Sequence, residues 1–173
     1  MTQTFRTTWA KAQHRLIKTL SLEGNEAKFE AQLLLQNVLI VNRAWLLAHE
    51  SDALQDKIKA DFESLLARRL LGEPIAYILG QREFFGLNLI VTPDTLIPRP
   101  DTETLVETAL DKIPTDTPFT VLDLGTGTGA VALAIAEHRP EAQVTAIDAS
   151  SGALDIAKRN ANQLDLTQVD FRL

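Results

Sequence analysis

From Phe5 onward, apolar residues return every three or four positions. Phe5, Trp9, Ala12, Leu16 and Leu20 form one stripe, with Lys11, Arg15 and Lys18 between them. That period places one face of a helix against a core. Ala27, Ala31, Leu34, Leu35 and Val38 predict a second helix, and Asn42 caps a short third one carrying Trp45 and Leu46. Ser51 starts a long helix through Leu54, Ile58, Phe62, Leu65 and Leu66. It stops at Gly72 and Pro74, because glycine takes the left-handed cap and proline cannot continue the helix. The pattern is a small helical bundle whose Trp and Phe residues are core.

The period then changes. Residues 80–98, GQREFFGLNLIVTPDTLIP, hold two aromatic or β-branched runs about Gly86, with Pro93 and Pro98 as punctuation, and predict a β-hairpin. Asp101 caps a following helix with Leu105, Val106 and Leu110 on one face, ending before Pro114. From Phe119, FTVLDL is a strand, TGAVALAIAEHR a helix, QVTAID a strand, SSGALDIAKRNANQL a helix, and VDFRL the start of a third strand. Such alternation predicts an α/β fold with a parallel, doubly wound sheet. The expected organisation is a helical domain at 1–78, a hairpin linker at 79–98 and an α/β domain at 99–173.

Composition narrows the function classes. The chain has 173 residues, 45% hydrophobic and 23% charged, with a formal charge of −6, which fits a soluble globular protein and not a disordered one. The acidic balance argues against a nucleic-acid partner, which needs a concentrated basic face. The short clusters Arg68-Arg69 and Lys158-Arg159 read as solvated helix faces. There is no cysteine, so disulfides and thiolate chemistry are excluded. His14, His49 and His138 are dispersed and read as surface or helix-end residues, so no metal is expected. With no signal core and no run of transmembrane length, a cytoplasmic protein without a membrane partner is expected.

The candidate chemistry sits at residues 121–130, VLDLGTGTGA. Gly125, Thr126, Gly127, Thr128 and Gly129 join a strand to a helix, where glycine permits a tight turn and close ligand approach. The helix N-terminus behind them favours an anionic group. The next strand ends in Asp148, placed to accept from both ribose hydroxyls of an adenosine, or merely to cap the next helix. Read as G-x-G-x-x-A, the loop admits a dinucleotide such as NAD. Asp123 opposes that reading, since a carboxylate there repels a pyrophosphate but suits the ammonium of a methionine moiety. The chemistry therefore favours S-adenosylmethionine over NAD.

Three blocks also carry a family resemblance: GEPIAYILGQREFFG (72–86), TLIPRPDTETLVE (95–107) and VLDLGTGTGAVALAIA (121–136). Together they resemble the HemK/PrmC family, glutamine N5-methyltransferases of bacterial peptide chain release factors. A sister family acting on a ribosomal protein is similar in the core but departs from the R-P-D-T-E wording. The resemblance implies a helical substrate-recognition domain, a hairpin and a Rossmann-like (class I) methyltransferase sheet. It implies that residues 125–129 and Asp148 hold S-adenosylmethionine, and that the substrate partner is a release factor whose GGQ loop carries the target glutamine. Arg99, Asp101 and Glu103 belong to the matching segment and are expected near the cofactor mouth; the alternative is structural, with Asp101 as a cap and Arg99–Glu103 as a salt bridge.

The departure is the family's Asn-Pro-Pro-Tyr motif, which is absent from this chain. In the family its Asn and a proline carbonyl hold the target amide, so no catalytic residue carries over. A chain ending at the third strand would also leave residues 121–124 as an apolar, unpaired edge. The expectation is the N-terminal portion of a longer enzyme, inactive alone. An NAD-type oxidoreductase fragment and a non-catalytic release-factor-binding module are the alternatives.

Overall fold

Thr4 opens the first helix by capping it. Its hydroxyl oxygen accepts from the Thr7 amide, and the Thr7 hydroxyl oxygen accepts in return from the Thr4 amide. The computed structural model describes residues 3–173 and divides between Leu79 and Gly80 into two units.

The first unit comprises α1 (Phe5–Leu20), α2 (Gly24–Leu39), α3 (Arg43–Ala48), α4 (Asp56–Leu70) and α5 (Ile75–Leu79). The stripes read from sequence form one core: Phe5, Trp9, Ala12 and Leu16 meet Ala27, Ala31, Leu34, Leu35, Leu46, Phe62 and Leu66. Asn42 caps α3 as expected, its Oδ1 accepting from the Trp45 amide. Ser51 does not start α4. Residues 51–54 instead bond to the segment entering α1: the Phe5 amide donates to Asp52 and the Leu54 amide to Gln3. Gly72 is left-handed (φ 94°). Pro74, read as part of a stop, also starts the short α5, its carbonyl accepting from Tyr77 and Ile78; proline suits a first turn because no donor is needed there.

Arg69 corrects the reading of a solvated pair. Its Nε and Nη2 donate to the two carboxylate oxygens of Glu30 at 2.8 and 3.2 Å, with side chains only 13% and 8% exposed. Its neighbour Arg68 forms the exposed counterpart with Glu73. The Arg68 hydrogen bond holds the Glu73 carboxyl below its ordinary range against an opposing desolvation, with the Arg68 charge adding to the lowering. A depressed acid adds stability above the unfolded pKa of about 4.3 and loses it as pH falls through the folded value. The two pairs should separate in urea denaturation. Glu30→Ala, which strands a largely buried guanidinium, should cost about 3 kcal/mol. Glu73→Ala should cost less than about 1 kcal/mol and nothing at a pH where Glu73 is protonated.

The second unit opens with the hairpin β1 (Gln81–Phe84) and β2 (Leu87–Ile90), Phe84 opposite Leu87. Phe85 and Gly86 both take positive φ, 50° and 80°, the backbone that a two-residue hairpin turn requires. The hairpin is bonded into this unit through the helix α8 (Ser151–Gln163): Gln163 donates to Asn88, and Asn160 pairs with Ile90. A 3-10 turn, Pro100–Thr102, leads into α6 (Glu103–Leu110). Asp101 lies within that turn and makes no side-chain cap bond. The cap reading fails because Pro100 starts the turn one residue earlier.

Then follow β3 (Phe119–Leu124), α7 (Ala130–His138), β4 (Ala142–Ile147), α8 and β5 (Asp170–Arg172). The strands run parallel in the order β3-β4-β5. Val121 pairs with Val144 and Asp123 with Ala146, on a face that joins the core of Val106, Leu133, Ile135 and Ala161. The opposite face carries Leu122 and Leu124, 56% and 70% exposed. The double winding expected from alternation is therefore confined here to one face. Both crossovers step in the same direction, and right-handed connections then put their helices on the same side. Strand β3 is at the sheet edge, as expected for residues 121–124.

Candidate functional site

At the carboxyl end of β3 the chain turns through residues 125–129 into α7. Gly125, Gly127 and Gly129 take φ of 75°, 56° and 83°. A Cβ on Gly125 or Gly127 would meet nothing within 4 Å, so the backbone is open to a ligand. At Gly129 a Cβ would lie 3.0 Å from Leu133 and 3.3 Å from Ala157. That glycine serves the packing of α7 against α8 rather than the ligand surface.

The loop amides are largely committed. Gly125 and Thr126 donate to the Ile147 carbonyl at 2.8 and 3.0 Å, and Gly129 donates to Thr126 at 2.8 Å. The Gly127 amide donates to Asp148 Oδ2 at 2.8 Å. Asp148 Oδ1 accepts from the Ser150 amide at the start of α8. Both carboxylate oxygens of Asp148 thus hold backbone, while each retains a second acceptor position. Thr126 donates its hydroxyl to Asp123 Oδ2 at 2.7 Å, fixing that carboxylate at the strand end.

Asp123, Gly125, Thr126, Gly127 and Thr128 line one cleft of about 130 Å³, together with Ala130, Val131 and the segment Leu96, Ile97, Pro98, Arg99 and Thr102. Gly129 and Asp148 lie outside that lining. Of the three residues expected near the mouth, Arg99 is there and Asp101 is not. Glu103 turns to the hairpin, its Oε1 accepting from the Phe85 amide at 3.2 Å. No Arg99–Glu103 salt bridge occurs among the described residues.

Sequence reasoning passed over Asn160, which is fully buried. Its Nδ2 donates to the carbonyls of Ile90 and Thr128, and its Oδ1 accepts from the Ile90 amide. One side chain thereby ties the glycine loop to the hairpin. The signal was available: position 160 falls on the apolar stripe of Ala153, Ile156, Ala157 and Ala161, where a polar residue demands partners. The histidines are placed as expected at helix ends or on the surface: His49 and His138 close α3 and α7, and His14 is exposed.

Comparison with known proteins adds to this geometry. A PrmC N-terminal domain model matches residues 11–80, and a methyltransferase domain model matches residues 116–173. A release factor glutamine methyltransferase from Bordetella pertussis is 50% identical over 149 residues, 86% of this chain and 55% of that protein. The proteins of the same name from Aliivibrio fischeri and Escherichia coli are 48% and 45% identical, each over 91% of this chain and over 56% and 57% of their own lengths. The chain thus spans little more than half the length of the curated relatives it matches.

Proposed function

Because this chain belongs to the HemK/PrmC family of release factor glutamine methyltransferases, we propose that it serves in S-adenosylmethionine-dependent N5-methylation of the GGQ glutamine of peptide chain release factors. The observation that carries the cofactor reading is the state of the glycine loop. A pyrophosphate cradle needs free backbone amides aimed at the ligand. Here the amides of Gly125, Thr126, Gly127 and Gly129 donate inside the protein, and a carboxylate, Asp123, faces the cleft. A ligand with an ammonium and no phosphate fits that donor set; NAD does not.

Each residue has a bounded task in this reading. Asp123, held by Thr126, accepts from the ammonium of the methionyl end. Asp148 offers its remaining acceptor positions to the ribose hydroxyls while its bonds to Gly127 and Ser150 keep it in place. Gly125 and Gly127 leave the space that a side chain would fill. When bound, S-adenosylmethionine supplies a methyl group on a sulfonium. An amide nitrogen is a weak nucleophile, so transfer to glutamine depends on orientation, and none of the residues of this chain is assigned to hold the target amide. The helical unit is assigned to the release factor, and the cytoplasm, where release factors act, is the setting. No helix among the described residues is long and apolar enough to cross a membrane.

Calorimetry tests the cofactor: saturable binding of S-adenosylmethionine with none of NAD is expected, and the opposite preference reverses the reading. A pull-down tests the substrate. The immobilised chain should retain a release factor bearing Gly-Gly-Gln, and failure to do so counts against the partner.

A further inference from the structure

The twelve residues lining the cleft include two charged ones, Arg99 and Asp123, of opposite sign. They are not paired with one another, and Arg99 enters none of the ion pairs among the described residues. Asp123 is oriented by Thr126 through one oxygen, which leaves the other free. The root of Arg99 is fixed by its neighbours. Pro98 and Pro100 flank it, its backbone is extended (φ −103°, ψ 142°) as a residue before proline must be, and its carbonyl accepts from Thr102. A cleft of about 130 Å³ is well below the roughly 300–1,000 Å³ of a whole drug-sized ligand pocket. It suits one end of a ligand, and opposite charges in one small cleft suit a zwitterion.

We propose that Arg99 is the carboxylate-binding residue of this site, its guanidinium taking the α-carboxylate of the methionyl end while Asp123 takes the α-ammonium. The inference rests on the cofactor reading above and deepens it: the amides of Gly125, Thr126, Gly127 and Gly129 are engaged elsewhere, and Arg99 is the one cationic side chain in the lining. A guanidinium offers it two parallel N–H bonds, which lysine cannot reproduce. Flanking prolines lower the ordering cost of that contact. Arg99 and Asp123 together then select for an intact amino-acid end.

Three ligands separate the contacts: S-adenosylhomocysteine, decarboxylated S-adenosylmethionine, and 5′-methylthioadenosine, which lacks both charged groups. Titrated by calorimetry, Arg99→Gln should weaken S-adenosylhomocysteine by about ten- to a hundredfold, the worth of a charge-assisted contact. It should leave the other two ligands within about threefold. Asp123→Asn should weaken the first two and spare the third. Arg99→Lys should recover only part of the loss. Equal weakening of all three ligands by Arg99→Gln, or no weakening of any, would overturn the assignment while leaving the cofactor intact. If the unsubstituted chain binds none of the three, the cofactor reading falls and this inference with it. Melting of each unliganded variant shows whether the fold is retained.

Discussion

Asn160→Leu should destabilise the second unit by about 3 kcal/mol, because the amide and carbonyl of Ile90 and the carbonyl of Thr128 each lose their partner. Leucine keeps the branching of the side chain and leaves no cavity, so the loss includes the hydrogen bonds and not missing volume. Chemical denaturation with a fluorescence or circular-dichroism readout checks it. Asn160→Asp provides the control. It retains an acceptor for the Ile90 amide but removes both donors and places an ionisable group where exposure is nil. Burial raises such a carboxyl above its unfolded value. The folded form then binds more protons than the unfolded one, so the stability of this variant should fall as pH rises through the window between the two values. A cost for Asn160→Leu below about 1 kcal/mol would show that the loop and hairpin are held by other means.

Gly129→Ala should cost about as much, roughly 3 kcal/mol, from a left-handed backbone and an overfilled contact together. The added carbon would press on Leu133 and Ala157, of which the second cannot move without its helix. Gly125→Ala meets open space, so its stability cost is the backbone strain alone, about 1–2 kcal/mol. Its larger effect should be on ligand affinity, since the carbon projects where the ligand approaches. Thermal melting and calorimetry on the pair should therefore rank the two variants in opposite orders. Equal loss of affinity with equal loss of stability would mean that both glycines serve the fold alone.

Much of this architecture is legible in sequence because the signals are periodic. The stripes at Phe5, Trp9, Ala12 and Leu16, and the strand–helix alternation from Phe119, report burial directly, and burial is what positions those elements. Residues 50–54 escaped because their structure comes from backbone pairing with the entry to α1, which no side-chain pattern announces. Asp101 misled for a related reason. An acid before an apolar stripe resembles a cap, but the proline beside it begins a tighter turn first. At the site, residue type was informative where chemistry is local, as with Asp123 beside the glycine loop. It grouped Gly129 with the ligand-facing glycines, whereas the packing of Gly129 depends on how closely α8 passes. Similarly, Glu103 was grouped with Arg99 by proximity in the chain, yet the turn after Pro100 sends them to different tasks.

The double use of Asp148 has a consequence for how such a site can change over generations. Because one carboxylate braces the loop through Gly127 and the next helix through Ser150, on the proposed ribose-binding role any exchange of Asp148 to suit a different sugar would also reshape the turn. Substitutions at Asp148 and at Gly127 should then be inherited as a set rather than singly, since coupled neighbours do not act additively. On that role, ligand preference and backbone shape would change together.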